Sequence, residues 1–189
     1  MEKSILAARL ASSLAALRAQ AGRKVLLLDA DPRHGALDQA QAAGEPALAH
    51  LTARPISAKG LQPELEHLVN CYHDIVIDSE ARDSLGSRSA MIAARVLVVS
   101  VDGLADEANL VRRIAHARSI NPGLRVLLVT ATMSEAVHAL AAQIEAASVV
   151  DAGQLYAAVF EQPPPCQPDH TAASSKATGY GIVSIKTSC

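Results

Sequence analysis

Hydrophobic positions recur along this chain in two periods. Over residues 3–21, Leu6, Leu10, Leu14 and Leu17 are spaced four, four and three apart, which places them on one stripe of a helix. Gly22 follows where helices commonly stop. The pattern then changes to short, unbroken aliphatic runs at 24–29 (KVLLLD), 74–78 (DIVID), 95–101 (RVLVVSV) and 125–130 (RVLLVT). Each is too short for a helix, and their continuity is that of strands covered on both faces. Helical patterns fall between the runs, at 63–70, where Leu65, Leu68 and Val69 share a face, then at 88–94, 104–120 and 134–147. Asn121-Pro122-Gly123 closes the third of these. Residues 30–35, with Pro32 and Gly35, read as a loop, and 36–62 are broken by Gly44, Pro46, Pro55 and Gly60. This βα repetition predicts an α/β fold with a mostly parallel sheet and helices on both faces. After Phe160, four prolines (Pro163, Pro164, Pro165, Pro168) and a Ser, Thr and Gly-rich stretch predict an extended tail over 161–189. Residues 1–160 are then the single domain.

Composition refines the picture in three respects. Half the residues are hydrophobic, mostly Ala, Leu, Val and Ile, so 189 residues can bury one substantial core. Tyr72, Tyr156, Phe160 and Tyr180 are too scattered for a base-stacking platform, and a net charge of −2 gives no whole-protein field toward nucleic acid or membrane. Cys71, Cys166 and Cys189 are odd in number and widely spaced, which is no disulfide framework and predicts a reducing, cytoplasmic setting. The N-terminal stretch does not read as a secretory signal. No apolar run approaches the about 20 residues of a transmembrane segment.

In a parallel α/β sheet, ligands bind beyond the carboxyl ends of the strands. The residues placed there are Asp29 and Asp31, then Asp78, Ser79 and Glu80, then Asp102, and finally Thr130, Thr132 and Met133. Carboxylates converging from neighbouring strands suit Mg²⁺, a hard cation held by one or two of them with phosphate and water. The plainer role for each aspartate is helix capping. His67, Cys71 and His73 have a metal-like spacing but run across a helix end and lack a fourth ligand, so they read as ordinary packing. Arg112, Arg113, His116 and Arg118 form a basic face on the 104–120 helix, readable as a solvated surface or as a DNA-phosphate patch.

Four ordered segments resemble the ParA/MinD-like P-loop ATPases. KVLLLDADPRHGAL (24–37) is similar to their VLLIDADPQGSAT segment, and HDIVIDSEARDS (73–84) to their Walker B strand, YDYIIIDTPPS. RVLVVSVDG (95–103) with ANLVRRIAHARSINPGLRVLLVTATMSE (108–135) looks like the family's later strand, long helix and adenine-side loop. The first helix matches in length, Ala content and its Gly-Arg-Lys-Val exit. The resemblance spans residues 3 to about 147. It implies a P-loop NTPase-like sheet, MgATP as cofactor and ATP hydrolysis in DNA partition or cell positioning. Lys3 would contact phosphate, Ser4 would ligate Mg²⁺, Asp31 would position the attacking water, and Asp29 and Asp78 would support the metal. Thr132 and Met133 would lie against the adenine. A homodimer, non-specific DNA binding and a ParB-like partner are implied in the same way.

Departures from the pattern bear on activity. The family's loop reads KGGxGK(S/T)T after a central strand, whereas this sequence opens Met1-Glu2-Lys3-Ser4. The glycines, the signature first lysine and the first strand have no counterpart ahead of the helix, and Glu2 stands at the last glycine. Glycines let backbone N–H groups wrap phosphate, so their loss costs phosphate binding and the glutamate opposes it. Glu80-Ala81 replaces the family's proline pair, and VVSVDG lacks the proline of the third-strand motif. A sheet lacking its middle strand must close the gap, pair with another chain or expose edges. The expectation is a shortened or degenerate ATPase with hydrolysis weak or absent, a site rebuilt by another route being the remaining possibility. The alternatives are a non-catalytic interaction protein of the same fold and, further off, a receiver-like signalling domain.

Overall fold

Helix α1 (Lys3–Ala19) leads through a turn at Gly22, which takes φ 63, into β1 (Val25–Asp29). The order continues α2 (Gly35–Ala42), β2 (Leu51–Pro55), α3 (Leu61–Leu68), β3 (Asp74–Asp78), α4 (Leu85–Ala93) and β4 (Val96–Ser100). It ends α5 (Glu107–Ile120), β5 (Arg125–Thr130), α6 (Glu135–Ala142), β6 (Ala147–Asp151), α7 (Leu155–Phe160) and β7 (Gly181–Thr187). The computed structural model describes residues 3–19, 22–44, 50–80, 82–102, 106–160 and 181–187. Glu2, Cys166, Cys189 and the proline-rich 161–180 stretch lie outside them.

The strands form one sheet in the order β2-β1-β3-β7-β4-β5-β6, with parallel pairing throughout. Strand β7 joins two three-stranded halves, pairing Asp74–Asp78 on one side and Val96–Ser100 on the other. The sequence reading places an extended tail over 161–189, and within that stretch residues 181–187 form this strand. Residues 181–187 pair within the sheet, and its middle position is held by a strand from far down the chain. An aliphatic segment can be paired on both edges wherever it occurs in sequence, because the ladder needs only backbone groups and register.

Residues alternate across the sheet. Leu26, Leu28, Ile75, Ile77, Leu97, Val99, Val126 and Leu128 join one core with α3, α4, α5 and α6. Val25, Leu27, Val76, Val98, Leu127 and Val129 join the other with α1, α2 and α7. Helix α1 buries Leu6, Leu10 and Leu14 with Ala7, Ala8, Ala11 and Ala15, small residues that allow close approach, while Leu17 in its last turn is exposed. The predicted elements shift by a few residues at their ends. The stretch at 36–62 without an assigned element contains α2 and β2, and the predicted 134–147 helix gives way to β6.

The faces carry topological information. Connections running from the β2 edge toward β6 place α3, α4, α5 and α6 on one face. The connections running the other way, β1 to β2 and β6 to β7, place α2 and α7 on the opposite face. A single crossover handedness requires this segregation.

Candidate functional site

The connections after β1 and β3 leave toward opposite faces, α2 on one and α4 on the other. Such a divergence opens a crevice outside the carboxyl ends of the two strands, the usual ligand position in this architecture. Asp29 and Asp78 end these strands in direct register, and the Ala30 N–H donates to the Asp78 main-chain oxygen at 2.8 Å. Both aspartates are fully buried.

The Asp29 carboxylate organises the rim. Its Oδ1 accepts the Asp31 N–H at 3.1 Å, and its Oδ2 accepts the Leu37 N–H at 2.9 Å. The second bond satisfies a donor in the first turn of α2, so Asp29 acts as a remote cap for that helix. Asp31, half-buried, accepts the Arg33 N–H at 3.0 Å and closes the loop further. His34 takes a left-handed conformation (φ 52, ψ 31), which residues other than glycine adopt rarely.

Helix α1 starts at the same crevice. A Cβ added to Gly35, the first residue of α2, would lie 3.0 Å from Ser4 Oγ, so the starts of the two helices are in close approach. Helix α1 also packs against β1, β3 and β7. Lys3 opens α1, and its side chain lies outside the description. Beside them, β7 ends Ile185-Lys186-Thr187, with Ile185 in register with Asp78 and Thr187 with Ser100.

On the β3 side the rim is charged. Glu80 forms an ion pair with Arg82. The Glu80 carboxyl is held below its ordinary range, first by a hydrogen bond with Ser84 and next by one from Arg82; burial opposes, the Arg82 charge helps and the Asp31 charge opposes. Asp31 and Glu80 therefore sense one another across the crevice, with Arg82 offsetting their repulsion. Further along, Asp102 accepts Thr130 Oγ1 at 2.8 Å and the Ala131 N–H at 3.1 Å, which ties the loop after β4 to the loop after β5. Burial works to raise the Asp102 carboxyl; hydrogen bonds, these two among them, outweigh it and leave it below its ordinary range. Thr132 and Met133 are exposed on the β5 loop.

The structure thus gathers Ser4, Asp29, Asp31 and Asp78 around one crevice and sets Thr132 and Met133 on a separate exposed loop of the same sheet edge. Sequence reasoning missed the Glu80–Arg82 pair, the close approach of Ser4 and Gly35, and strand β7. The signal for β7 was the aliphatic run GIVSIK, hidden by its Pro, Ser and Thr-rich surroundings. Among the described residues, no three His, Cys, Asp or Glu side chains form a metal-holding group. His73 Nδ1 accepts the Lys24 N–H at 3.0 Å, and His67 and Cys71 are exposed. No described helix is long and apolar enough to cross a membrane. No protein-family model matches the chain, and no curated protein is recognisably similar to it.

Proposed function

We propose that the chain binds MgATP at the β1/β3 crevice and serves as a ParA/MinD-like partition or positioning ATPase with slow or no hydrolysis. The observation that carries this reading is the place of β7. A central strand runs parallel beside Asp78 and reaches Lys186-Thr187 at the carboxyl end of the sheet, and α1, which opens Lys3-Ser4, packs against β1, β3 and β7. A central strand, a lysine after it and a Lys-Ser helix start are three of the elements of the similar family's phosphate loop, here brought from two segments separated by most of the chain, although its glycines have no counterpart. The site expected to be missing is, on this reading, rebuilt by another route.

The donor set suits the cofactor unevenly. A hard cation takes oxygen ligands, and Ser4 and Asp78 offer a hydroxyl and a carboxylate. Asp29 fits the cation less well, since both its oxygens already accept backbone N–H groups. Bound Mg²⁺ would supply charge neutralisation on the phosphates. Lys186 and Lys3 would add positive charge, and the start of α1 would present backbone donors. Asp31, fixed by its own turn, would hold a water in place, and Thr132 with Met133 would flank the base. A homodimer, non-specific DNA binding and a ParB-like partner belong to the same proposal.

Calorimetric titration of the full chain with ATP, with and without Mg²⁺, tests it. Saturable micromolar binding is expected, and Lys186→Ala should weaken it about tenfold or more, the worth of a charge-assisted hydrogen bond. A folded chain that takes up no MgATP would instead favour a non-catalytic interaction protein. The capping role of the Asp29 carboxylate supports that second reading.

A further inference from the structure

The basic face of α5 does not survive folding as one surface. Arg118 turns toward the segment before β5 and the residues that follow α6, where Nη1 donates to the Leu124 oxygen at 2.5 Å and Nη2 lies 3.6 Å from Glu145. Arg112, Arg113 and His116 lie on the other side, against α4, and with Asp83, Arg88 and Met91 they line a half-open cavity of about 240 Å³.

The cavity is constructed around a fixed guanidinium. The Arg113 side chain is only 12% exposed. Its Nη2 donates to Ser87 Oγ at 2.6 Å and to the Arg82 oxygen at 3.3 Å, and its Nε lies 3.3 Å from Asp83 Oδ1. Asp83 is shared with Arg88, which donates from Nε at 2.9 Å and from Nη2 at 2.6 Å. The guanidinium groups of Arg113 and Arg88 share the one carboxylate of Asp83, and Arg112 adds a third cation to the lining, so the arginines exceed the carboxylate by two positive charges. No hydrogen bond or ion pair among the described residues engages the exposed Arg112. Buried Met91 and Ala117 supply apolar wall on the same cavity.

Excess positive charge in a partly desolvated place is costly unless something balances it. Planar guanidinium forks held by neighbouring groups match carboxylate and phosphate. A few convergent polar groups on an apolar wall are the make-up of a small-molecule site. The size is below the roughly 300–1,000 Å³ of common ligand pockets, which suits one ring with one anionic group better than a nucleotide. We propose that the cleft between α4 and α5 binds a small organic anion with an apolar body, of the aryl phosphate or aryl carboxylate class. This site is separate from the β1/β3 crevice and does not depend on nucleotide binding there.

Amide NMR of the full chain, titrated separately with phenyl phosphate, benzoate, inorganic phosphate and benzyl alcohol, tests the proposal. Phenyl phosphate or benzoate should give saturable shifts confined to residues near 83–92 and 112–117, and whichever binds tighter identifies the anion. Inorganic phosphate and benzyl alcohol, each lacking one half of the recognised chemistry, should bind at least about tenfold more weakly, a difference of about 1.4 kcal/mol. Arg112→Ala, at an exposed position, should leave the thermal melt unchanged and weaken the aryl anion about tenfold or more, the loss of one charge-assisted hydrogen bond. Absence of saturable shifts up to about 10 mM, beyond the millimolar range of weak ligands, would overturn the proposal. So would equal binding of inorganic phosphate and phenyl phosphate, or an affinity indifferent to Arg112→Ala.

Discussion

Ending the chain after residue 160 removes β7 and nothing else of regular structure among the described residues. The strand pairs with β3 through five residues and with β4 through five more. A parallel ladder spaces its hydrogen bonds evenly, so about ten backbone bonds are lost. At about 1 kcal/mol net each the loss is on the order of 10 kcal/mol, as large as the whole stability of an ordinary domain, about 5–15 kcal/mol. The loss also leaves β3 and β4 as adjacent unpaired edges, although Val76, Ile77, Leu97 and Val98 on them are completely buried. The shortened chain should therefore fail to unfold cooperatively in urea, and it should associate through those edges. Circular dichroism across a urea series, with sedimentation of the same samples, measures both effects. A synthetic peptide covering residues 178–189 should restore part of the transition. If the shortened chain kept its urea midpoint and its m-value, β7 would contribute nothing to the sheet, and the phosphate site proposed above would lose its lysine as well.

Two further outcomes follow from local geometry. Gly35→Ala should destabilise the protein by about 1 kcal/mol, because overpacking against Ser4 outweighs the helix-propensity gain of alanine. Thermal melts of Gly35→Ala, Ser4→Gly and the double variant should then show the two substitutions compensating, and simple additivity would refute the contact. Asp83 is held below its ordinary range, chiefly by the Arg88 hydrogen bond, with burial opposing and the charges of Arg113, Arg88 and His116 assisting. A lowered folded-state value means that this stability is present above the unfolded value of about 4 and is lost as pH falls through the folded one. Asp83→Asn should therefore flatten the fall of urea midpoints between about pH 5 and 3. An unchanged acid limb would show that the pair contributes nothing.

The parts legible in sequence were those whose residues report their own surroundings. Leu26, Leu28, Ile75 and Ile77 read as strand interior because both faces of the sheet are covered, and Asp29 and Asp78 read as strand ends because an acid cannot continue such a run. Strand β2 was hidden because it lies at an edge, where Thr52 and Pro55 are exposed and no aliphatic run is demanded. Strand β7 was hidden for a different reason. Its run is aliphatic, but partners that lie about a hundred residues away leave no mark on its neighbours in sequence. The four cations of α5 had a clear period and an unreadable outcome, since the packing of α4 on one side and the Leu124 turn on the other divided them. Asp29 shows the limit on function. Its position marks a site, yet its two oxygens cap a helix, and only the coordinates reveal that use.

The late arrival of the middle strand sets a timetable for synthesis. The ribosome releases β6 before β7, and 36 residues separate Asp151 from Thr187. At about 5–20 residues per second that is an interval of roughly 2–7 s. During it six strands have emerged, and the two halves have no seam to join them. Local helices form within microseconds, so the nascent chain waits with two unjoined halves for a single closing piece. Such a chain is an expected client of holding chaperones, and rare codons between β6 and β7 would lengthen its exposure.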